Sequence, residues 1–349
     1  MRSVLVVNAG STSLKLHLVR ADESVEAIHE LEAARRAEVE AVAHRVVHGG
    51  PLVEPTLIDD SVRASIEKLT QVAPLHNAPA LGCIDDARAL LPDHPHVAVF
   101  DTAFHAGMPP EAATYAIPRA WREEWGIRRY GFHGLSVQWS AERAAELLGG
   151  RSRRLVVSHL GGGCSVTAVR DGRSVDTTMG FTPLEGVPMS TRSGSVDPGA
   201  LLYVQRVHGL SADDVDRALN LDSGLTGLSD GREVRELEAA APRDEGARLA
   251  IEVYTYRIAA AIAAMGAALD GIDVLAFTAG VGEHSAVVRA AISARLAFLG
   301  IELDHDLNER SRPDTDIARP QSGVRVLIIA AREEIVAARA ARALLSPTT

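Results

Sequence analysis

Ser3-Val-Leu-Val-Val-Asn-Ala-Gly-Ser-Thr-Ser-Leu-Lys15 is an apolar run that ends in an asparagine and a Gly/Ser/Thr turn, and the chain repeats the pattern further on. Leu5-Val-Val-Asn-Ala-Gly-Ser-Thr-Ser-Leu-Lys-Leu-His-Leu-Val-Arg20 aligns without a gap on Leu155-Val-Val-Ser-His-Leu-Gly-Gly-Gly-Cys-Ser-Val-Thr-Ala-Val-Arg170. Each copy reads as a buried strand, a tight turn and an antiparallel partner strand. Glycine and small hydroxyl residues leave backbone N–H groups open at such a turn, which suits it to phosphate oxygens. One copy is a common unit; two copies suggest related domains holding a phosphate chain between them.

At 349 residues the chain has room for two domains, each with its own core. Its apolar and charged fractions, 46% and 23%, are those of a globular protein. A net charge of −10 argues against a general nucleic-acid or anionic-membrane surface, while leaving room for a local basic site. Cys83 and Cys164 have neither metal-ligand spacing nor a disulfide framework to join, which fits a reducing cytoplasm. No signal peptide precedes the first strand, and the apolar run from Ile258 to Leu269 is too short to span a bilayer. The expectation is a cytoplasmic soluble protein that binds neither nucleic acid nor membrane. Of the 36 basic residues only Lys15 and Lys68 are lysines. Lys15 is either a chance occupant of an exposed strand position or a compact ammonium beside a phosphate.

Residues 22–43 are charged and Ala/Glu-rich and read as a surface helix or loop. Ala43-His-Arg-Val-Val-His-Gly-Gly50 is a strand ending in a glycine pair; its Arg45 either is solvated at an edge or faces an anionic ligand, and the flanking residues favour the ligand. A helix over 61–72 precedes Ala73-Pro-Leu-His-Asn-Ala-Pro79, read as a loop, and a helix over 80–90. His76 in that loop is more often structural than catalytic. Val97-Ala-Val-Phe-Asp101 is a buried strand with a carboxylate just past its end; Asp101 is either a helix cap or a catalytic group, and the position favours catalysis. Gly149-Gly150 marks the boundary between domains 1–149 and 150–334, with the helix over 335–349 packing back on the first. The span from Asp176 to Pro198 is a long polar loop, a functional sign in a compact protein, and its Arg192 is a candidate anion contact. Gly280-Val-Gly282 lies on a strand-to-helix turn, a moderate nucleotide signal. Glu333-Glu334 opens the last helix, where a carboxylate serves as a cap or as a metal ligand.

Together these stretches resemble the acetate kinases, of the acetate and sugar kinase, heat-shock-70 and actin superfamily. The resemblance rests on Val7-Asn-Ala-Gly-Ser-Thr-Ser-Leu-Lys15, His44-Arg-Val-Val-His-Gly-Gly50, Ala73-Pro-Leu-His-Asn77 and Phe100-Asp-Thr-Ala-Phe-His105. Arg129-Tyr-Gly-Phe-His-Gly134, Met179-Gly-Phe-Thr-Pro-Leu-Glu-Gly186, Thr191-Arg-Ser-Gly194 and Phe277-Thr-Ala-Gly-Val-Gly-Glu283 add to it. It implies an α/β, two-domain actin-like fold, a duplicated ribonuclease H-like unit with the active site in the interdomain cleft. It also implies a homodimer, and the reversible reaction ATP + acetate ⇌ ADP + acetyl phosphate with Mg²⁺, or Mn²⁺ in its place.

By the same resemblance Asn8 and Glu333 hold the metal, while Lys15, Ser11 and Ser13 lie along the phosphates. Arg45 binds the carboxylate or the moving phosphoryl group, Asp101 is the essential acid, His133 and Arg192 stabilise the transition state, and His76 is a lesser contact. The acyl pocket comprises Val47, Leu75, Phe132 and Pro183. His159, Leu160, Gly161, Gly162 and Gly163 hold phosphates; Glu233, Val234 and Arg235 with Gly280, Val281, Gly282, Glu283 and His284 line the adenosine pocket. Phosphoryl transfer to an acid that is already an anion needs positioning and charge neutralisation rather than a strong base.

The chain departs from the family pattern where Gly162, His284 and Ala331-Arg332 replace asparagine-bearing positions and Gly134-Leu-Ser-Val137 replaces Gly-Thr-Ser-His. These changes fall on the nucleotide side, with the acyl side intact, and bear on the affinity for the phosphate donor and its choice. The competing readings are a propionate or short-chain acyl kinase and a weakly active nucleotide-binding paralogue.

Overall fold

Residues 3–9, 14–35, 37–150 and 153–346 are described by the structure, a computed structural model. Ser11 and Ser13 therefore lie outside the described residues. The chain forms two compact units, Met1–Ala106 with Phe132–Trp139 and Arg332–Thr349, and Gly107–Gly131 with Ser140–Ala331. The expected boundary at 149/150 does not coincide with this division. Segment 107–131 joins the second unit because its backbone is tied there: the N–H groups of Tyr130 and Gly131 donate to the Gly180 carbonyl at 3.0 and 3.3 Å.

The first unit is built on six strands, β1 Ser3–Ala9, β2 Leu14–Val19, β3 Val25–Ile28, β4 Val39–Val46, β5 Thr56–Leu57 and β6 His96–Phe100. They lie in the order β3-β2-β1-β4-β6-β5, with β1, β4 and β6 mutually parallel and the other pairings antiparallel. Both faces of this sheet are covered, which explains its unbroken apolar runs. Val4 and Val6 pack with Val336, Ala337 and Ala341 of the C-terminal helix Glu333–Leu345, while Leu5 and Val7 pack with Ala87 and Leu91 on the opposite face.

The second unit holds β7 Arg154–Leu160, β8 Cys164–Arg170, β9 Arg173–Thr177, β10 Val274–Thr278, β11 Thr315–Asp316 and β12 Arg325–Ile329. Their order, β9-β8-β7-β10-β12-β11, and every parallel or antiparallel sense repeat those of the first sheet. The duplication is thus a property of whole sheets. The turns differ, however. Ala9 pairs with Leu14 around residues 10–13, whereas Leu160 pairs with Cys164 around 161–163. Four residues separate the first pair and three the second, so the ungapped alignment fails there, and by strand register the counterpart of Asn8 is His159 rather than Ser158.

Three local expectations are corrected. Residues 22–43 contain β3, a short helix Leu31–Ala34 and the start of β4, because pairing with β2 and β1 overrides the helical composition. The supposed loop 73–79 is the start of the helix Pro74–Leu90: Pro74 stands in the first turn, where a missing N–H costs nothing, and Pro79 is accommodated inside. The apolar run near Ile258 belongs to a 25-residue helix, Glu245–Leu269, long and apolar enough to cross a membrane by length and composition. It packs against β7, β8 and β9, burying Tyr254, Ile258 and Ile262.

Candidate active site

In the first unit the parallel strands β1, β4 and β6 deliver Asn8, Arg45 and Asp101 to their common C-terminal edge, where open α/β sheets place ligands. Arg45 forks onto Asp101, Nε to Oδ1 at 3.0 Å and Nη2 to Oδ2 at 2.5 Å. Its Nη1 donates to Asn8 Oδ1 at 2.9 Å and lies 3.6 Å from Glu333 Oε2. Asn8 Nδ2 in turn donates to Glu333 Oε2 at 3.3 Å. Asp101 is fully buried, so its charge requires this pairing. Burial opposes the charge on Arg45, but Asp101 and Glu333 outweigh it and hold the guanidinium above its ordinary pKa. Lys15, directly opposite Asn8 across the hairpin, is exposed on the same face.

His133 sits in a left-handed conformation at φ +59°, uncommon for a residue with a side chain. Its neighbour explains how it is held. The Gly134 N–H donates to the Asp101 carbonyl at 2.9 Å, and a Cβ on Gly134 would stand 2.1 Å from that oxygen. Phe132 before it is buried, and its carbonyl takes a bond from His105 Nε2 at 2.9 Å, fixing the tautomer. Burial pulls His105 down to about 4. Val47 is buried, and Leu75 and His76 are half-buried in the first turn of helix Pro74–Leu90. Buried Asn77, beside His76, accepts from the His48 N–H and donates to the His48 carbonyl, at 3.1 and 3.0 Å. It fastens the segment just beyond Arg45.

In the second unit the turn 161–163 is joined to the irregular segment after β9: the Ser190 N–H donates to the Gly162 carbonyl at 3.2 Å. That segment is pinned at Met189, Ser190 and Thr191, whose carbonyls accept from Leu225, Thr226 and Ser223. Arg192 is half-buried, with Nη1 donating to the Pro183 carbonyl at 3.2 Å, and burial lowers its guanidinium pKa against the opposing pull of Cys164. His159 and Leu160 are buried, while Gly162 is exposed with open space where a side chain would go. Beyond β10, Ala279 at φ +66° opens a short helix, Ala279–His284, that contains Gly280, Val281 and Gly282.

A family model described as the acetokinase family matches residues 24–339. The chain belongs to that family. An acetate kinase of Synechococcus sp. (strain JA-2-3B'a(2-13)) is 51% identical over 316 residues, covering 88% of this chain and 77% of the relative. One of Deinococcus deserti is 48% identical over 321 residues, covering 90% and 80%. A solved propionate kinase from Francisella tularensis superposes with a TM-score of 0.91 at 35% identity, covering 97% of this chain and 99% of that one. Porphyromonas gingivalis acetate kinase gives 0.87 at 33%, covering 99% and 100%. The two six-stranded sheets are therefore the acetokinase fold.

Some residues that the acetokinase pattern assigns to the nucleotide are engaged in holding this chain together. Glu283 Oε1 accepts from the Ala331 N–H at 2.9 Å, tying the end of β12 to the Ala279–His284 helix. Glu233 is the N-cap of the helix Val234–Ala240, in a capping box with Glu236, and Arg235 is exposed. Arg289 escaped the sequence reading. It is buried, donates to the carbonyls of Gly282 and Glu283 at 2.9 Å, and is braced by Asn308. No local pattern announces it, because its partner Asn308 lies in another helix.

Among the described residues no group of three His, Cys, Asp or Glu side chains forms a metal cage. Mg²⁺ does not need one, since it is commonly held by one or two protein oxygens, several waters and substrate phosphates. The Glu333 carboxylate and the Asn8 carboxamide oxygen, which stand together at this strand edge, are oxygen donors of the kind such a site uses.

Proposed function

We propose that this protein is an acetate kinase, transferring the γ-phosphoryl group of ATP to acetate and back. An acetate oxygen bonds to the γ-phosphorus as the bond to the ADP oxygen breaks, so no proton is removed from the acceptor. Asp101 then serves to hold Arg45 rather than to act as a base, a role supported by its two-pronged engagement of the guanidinium. Arg45 and Arg192 neutralise charge on the acceptor and the moving phosphoryl group, with His133 aimed by Gly134. Asn8 and Glu333 hold Mg²⁺, which neutralises phosphate charge when bound. Lys15 and the turn 161–163 take the nucleotide phosphates, with Ser11 and Ser13 beside them. His76 is a lesser contact, and the helix Ala279–His284 with Glu233 to Arg235 lines the adenosine pocket.

The observation that carries this reading is the Asn8–Arg45–Asp101–Glu333 network in a chain of the acetokinase family. Val47, Leu75, Phe132 and Pro183 supply the acyl wall. A hydrophobic wall separates acids differing by one methylene by only about 1–3 kcal/mol. Propionate is therefore turned over as well, in keeping with the likeness to a propionate kinase. Assembly as a homodimer belongs to the same reading. Leu202, Tyr203 and Val207 of helix Pro198–His208 and Leu221 of the next helix, all exposed, support it.

The test is trapping of acyl phosphate as hydroxamate with ATP, Mg²⁺ and acetate, propionate or butyrate. Acetate is expected to give product, and Arg192→Ala to lower kcat/KM by roughly 10²–10³. No product with any of the three acids overturns the assignment.

A further inference from the structure

The irregular segment after β9 carries both Pro183 and Arg192. One side chain organises its start. Arg129 Nη1 fans across three successive carbonyls, those of Thr177, Thr178 and Met179, at 3.0, 2.9 and 3.2 Å. Its Nη2 donates to Glu185 Oε1 at 3.0 Å, on the far side of the same loop. The other Glu185 oxygen accepts from the Tyr115 hydroxyl, and Tyr115 in turn accepts from the Phe181 N–H at 3.0 Å. Burial, reinforced by Glu185, raises the Tyr115 phenol, which keeps it a donor at neutral pH. The Arg129 guanidinium also stands 5.4 Å from the Tyr115 ring centroid. Residues 177–185 are thus wrapped around an Arg–Glu–Tyr centre.

The fit of the wrap is close. A Cβ on Gly180 would stand 1.6 Å from Glu185 Oε2 and 2.0 Å from the Tyr115 oxygen, so only glycine lets the loop close around them. Inside the wrap sits Pro183, whose carbonyl accepts from Arg192 Nη1 at 3.2 Å. The side chain of Arg129 is only 17% exposed, so its charge depends on these bonds. A planar guanidinium suits this job because its donors spread at fixed angles over carbonyls and carboxylate together.

We propose that Arg129, Glu185 and Tyr115 are positioning residues that set Pro183 and Arg192, and so tune both acid selection and turnover, without touching substrate. This rests on the acetate kinase reading. Loosening the wrap shifts the Pro183 carbonyl and, with it, the Arg192 guanidinium that donates to it, and moves the apolar ring of Pro183. The acid side of the reaction then changes while the nucleotide side does not.

The experiment measures kcat and KM for ATP and for acetate, propionate and butyrate in Tyr115→Phe, Glu185→Gln and Glu185→Ala, with circular dichroism at the assay temperature. Glu185→Gln keeps an acceptor for Arg129, so it is expected to stay within a few-fold of the parent, whereas Glu185→Ala loses about tenfold or more in kcat/KM for acetate. Both Glu185→Ala and Tyr115→Phe are expected to shift the acetate-to-propionate ratio and leave the KM for ATP within about twofold. Folded variants with unchanged acid ratios and unchanged kcat overturn the proposal and leave the activity standing, as does an equal loss in Glu185→Gln and Glu185→Ala. A parent protein without turnover overturns the activity, and the positioning role with it. Should Glu185→Ala not fold, Tyr115→Phe, which removes one oxygen, decides.

Discussion

The two sheets have one topology and two kinds of equipment. At the ends of β1, β4 and β6 stand charged and amide side chains locked to one another: Asn8, Arg45 and Asp101, with Glu333 from the C-terminal helix. The corresponding end of β7 carries buried His159 and Leu160, then three glycines whose backbone takes the place of side chains. Arg192, in the loop joined to that turn, donates to the Pro183 carbonyl. The repeated sheet fixes where a site can be; the strand ends determine what it can do. A fork such as Arg45–Asp101 suits an anion that must be oriented, while a glycine turn suits a phosphate that must be approached closely.

Breaking the charged end should have the largest effect. Asp101→Ala leaves the guanidinium of Arg45 buried beside an alanine and is expected to cost about 3–5 kcal/mol of stability, read from chemical unfolding. A cost under about 1 kcal/mol means that water reaches Arg45 and the fork is not the anchor described here.

Acid sharpens the comparison next, because the first unit contains buried imidazoles. His96 Nε2 lies 3.1 Å from the Leu91 carbonyl, which can only accept, so His96 Nδ1 takes the bond from His44 Nε2 at 3.0 Å. Burial holds His44 down to about 3 and His105 to about 4, and lowers His96. Their folded pKa values lie below the unfolded ones. The unfolded chain therefore takes up protons first as pH falls, and the stability they contribute is whole above the ordinary histidine pKa and lost below it. Between pH 6 and pH 4.5 the unfolding free energy should drop by about 1.4 kcal/mol per pH unit for each of His44 and His105. His44→Phe should flatten that slope, and a slope unchanged by the substitution removes His44 from the account.

The mildest test gives the second end a side chain like the first. Gly162 has no positive φ, and nothing stands within 4 Å of where its Cβ would be, so Gly162→Asn is expected to fold normally. One added hydrogen bond to a phosphate oxygen is worth about 1 kcal/mol, a fall in the KM for ATP of roughly fivefold. An unchanged KM, with acetate kinetics unaltered, would place the phosphates away from this turn.

Much of the molecule was legible before its coordinates. Apolar runs bounded by Gly/Ser turns marked β1, β2, β7 and β8, and the last helix was visible as well. Errors arose where composition stood in for contact. Residues 22–43 look helical by their alanines and glutamates, yet β3 is held by its neighbour β2. Pro74 and Pro79 look like breakers, yet one occupies a helix's first turn, where proline is harmless. The ungapped match of the hairpins hid a one-residue difference in strand register, because similarity of residue type says little about where two strands pair.

The sequence by itself determined the duplication, the strand character of each half, the family and the residue types available for phosphoryl transfer. All of these rest on local periodicity or on ordered motifs, which survive without coordinates. Only the tertiary structure decided which groups meet. Asn8 and Glu333 are 325 positions apart, and Arg45 and Asp101 are 56 apart. Their bonds follow from β1, β4 and β6 lying parallel and side by side. Gly134 is indispensable through a carbonyl 33 residues away, that of Asp101, and Arg129 through the three it gathers from the far side of its own unit. Strand order and close approach are set by packing of the whole sheet and leave no trace in a single segment.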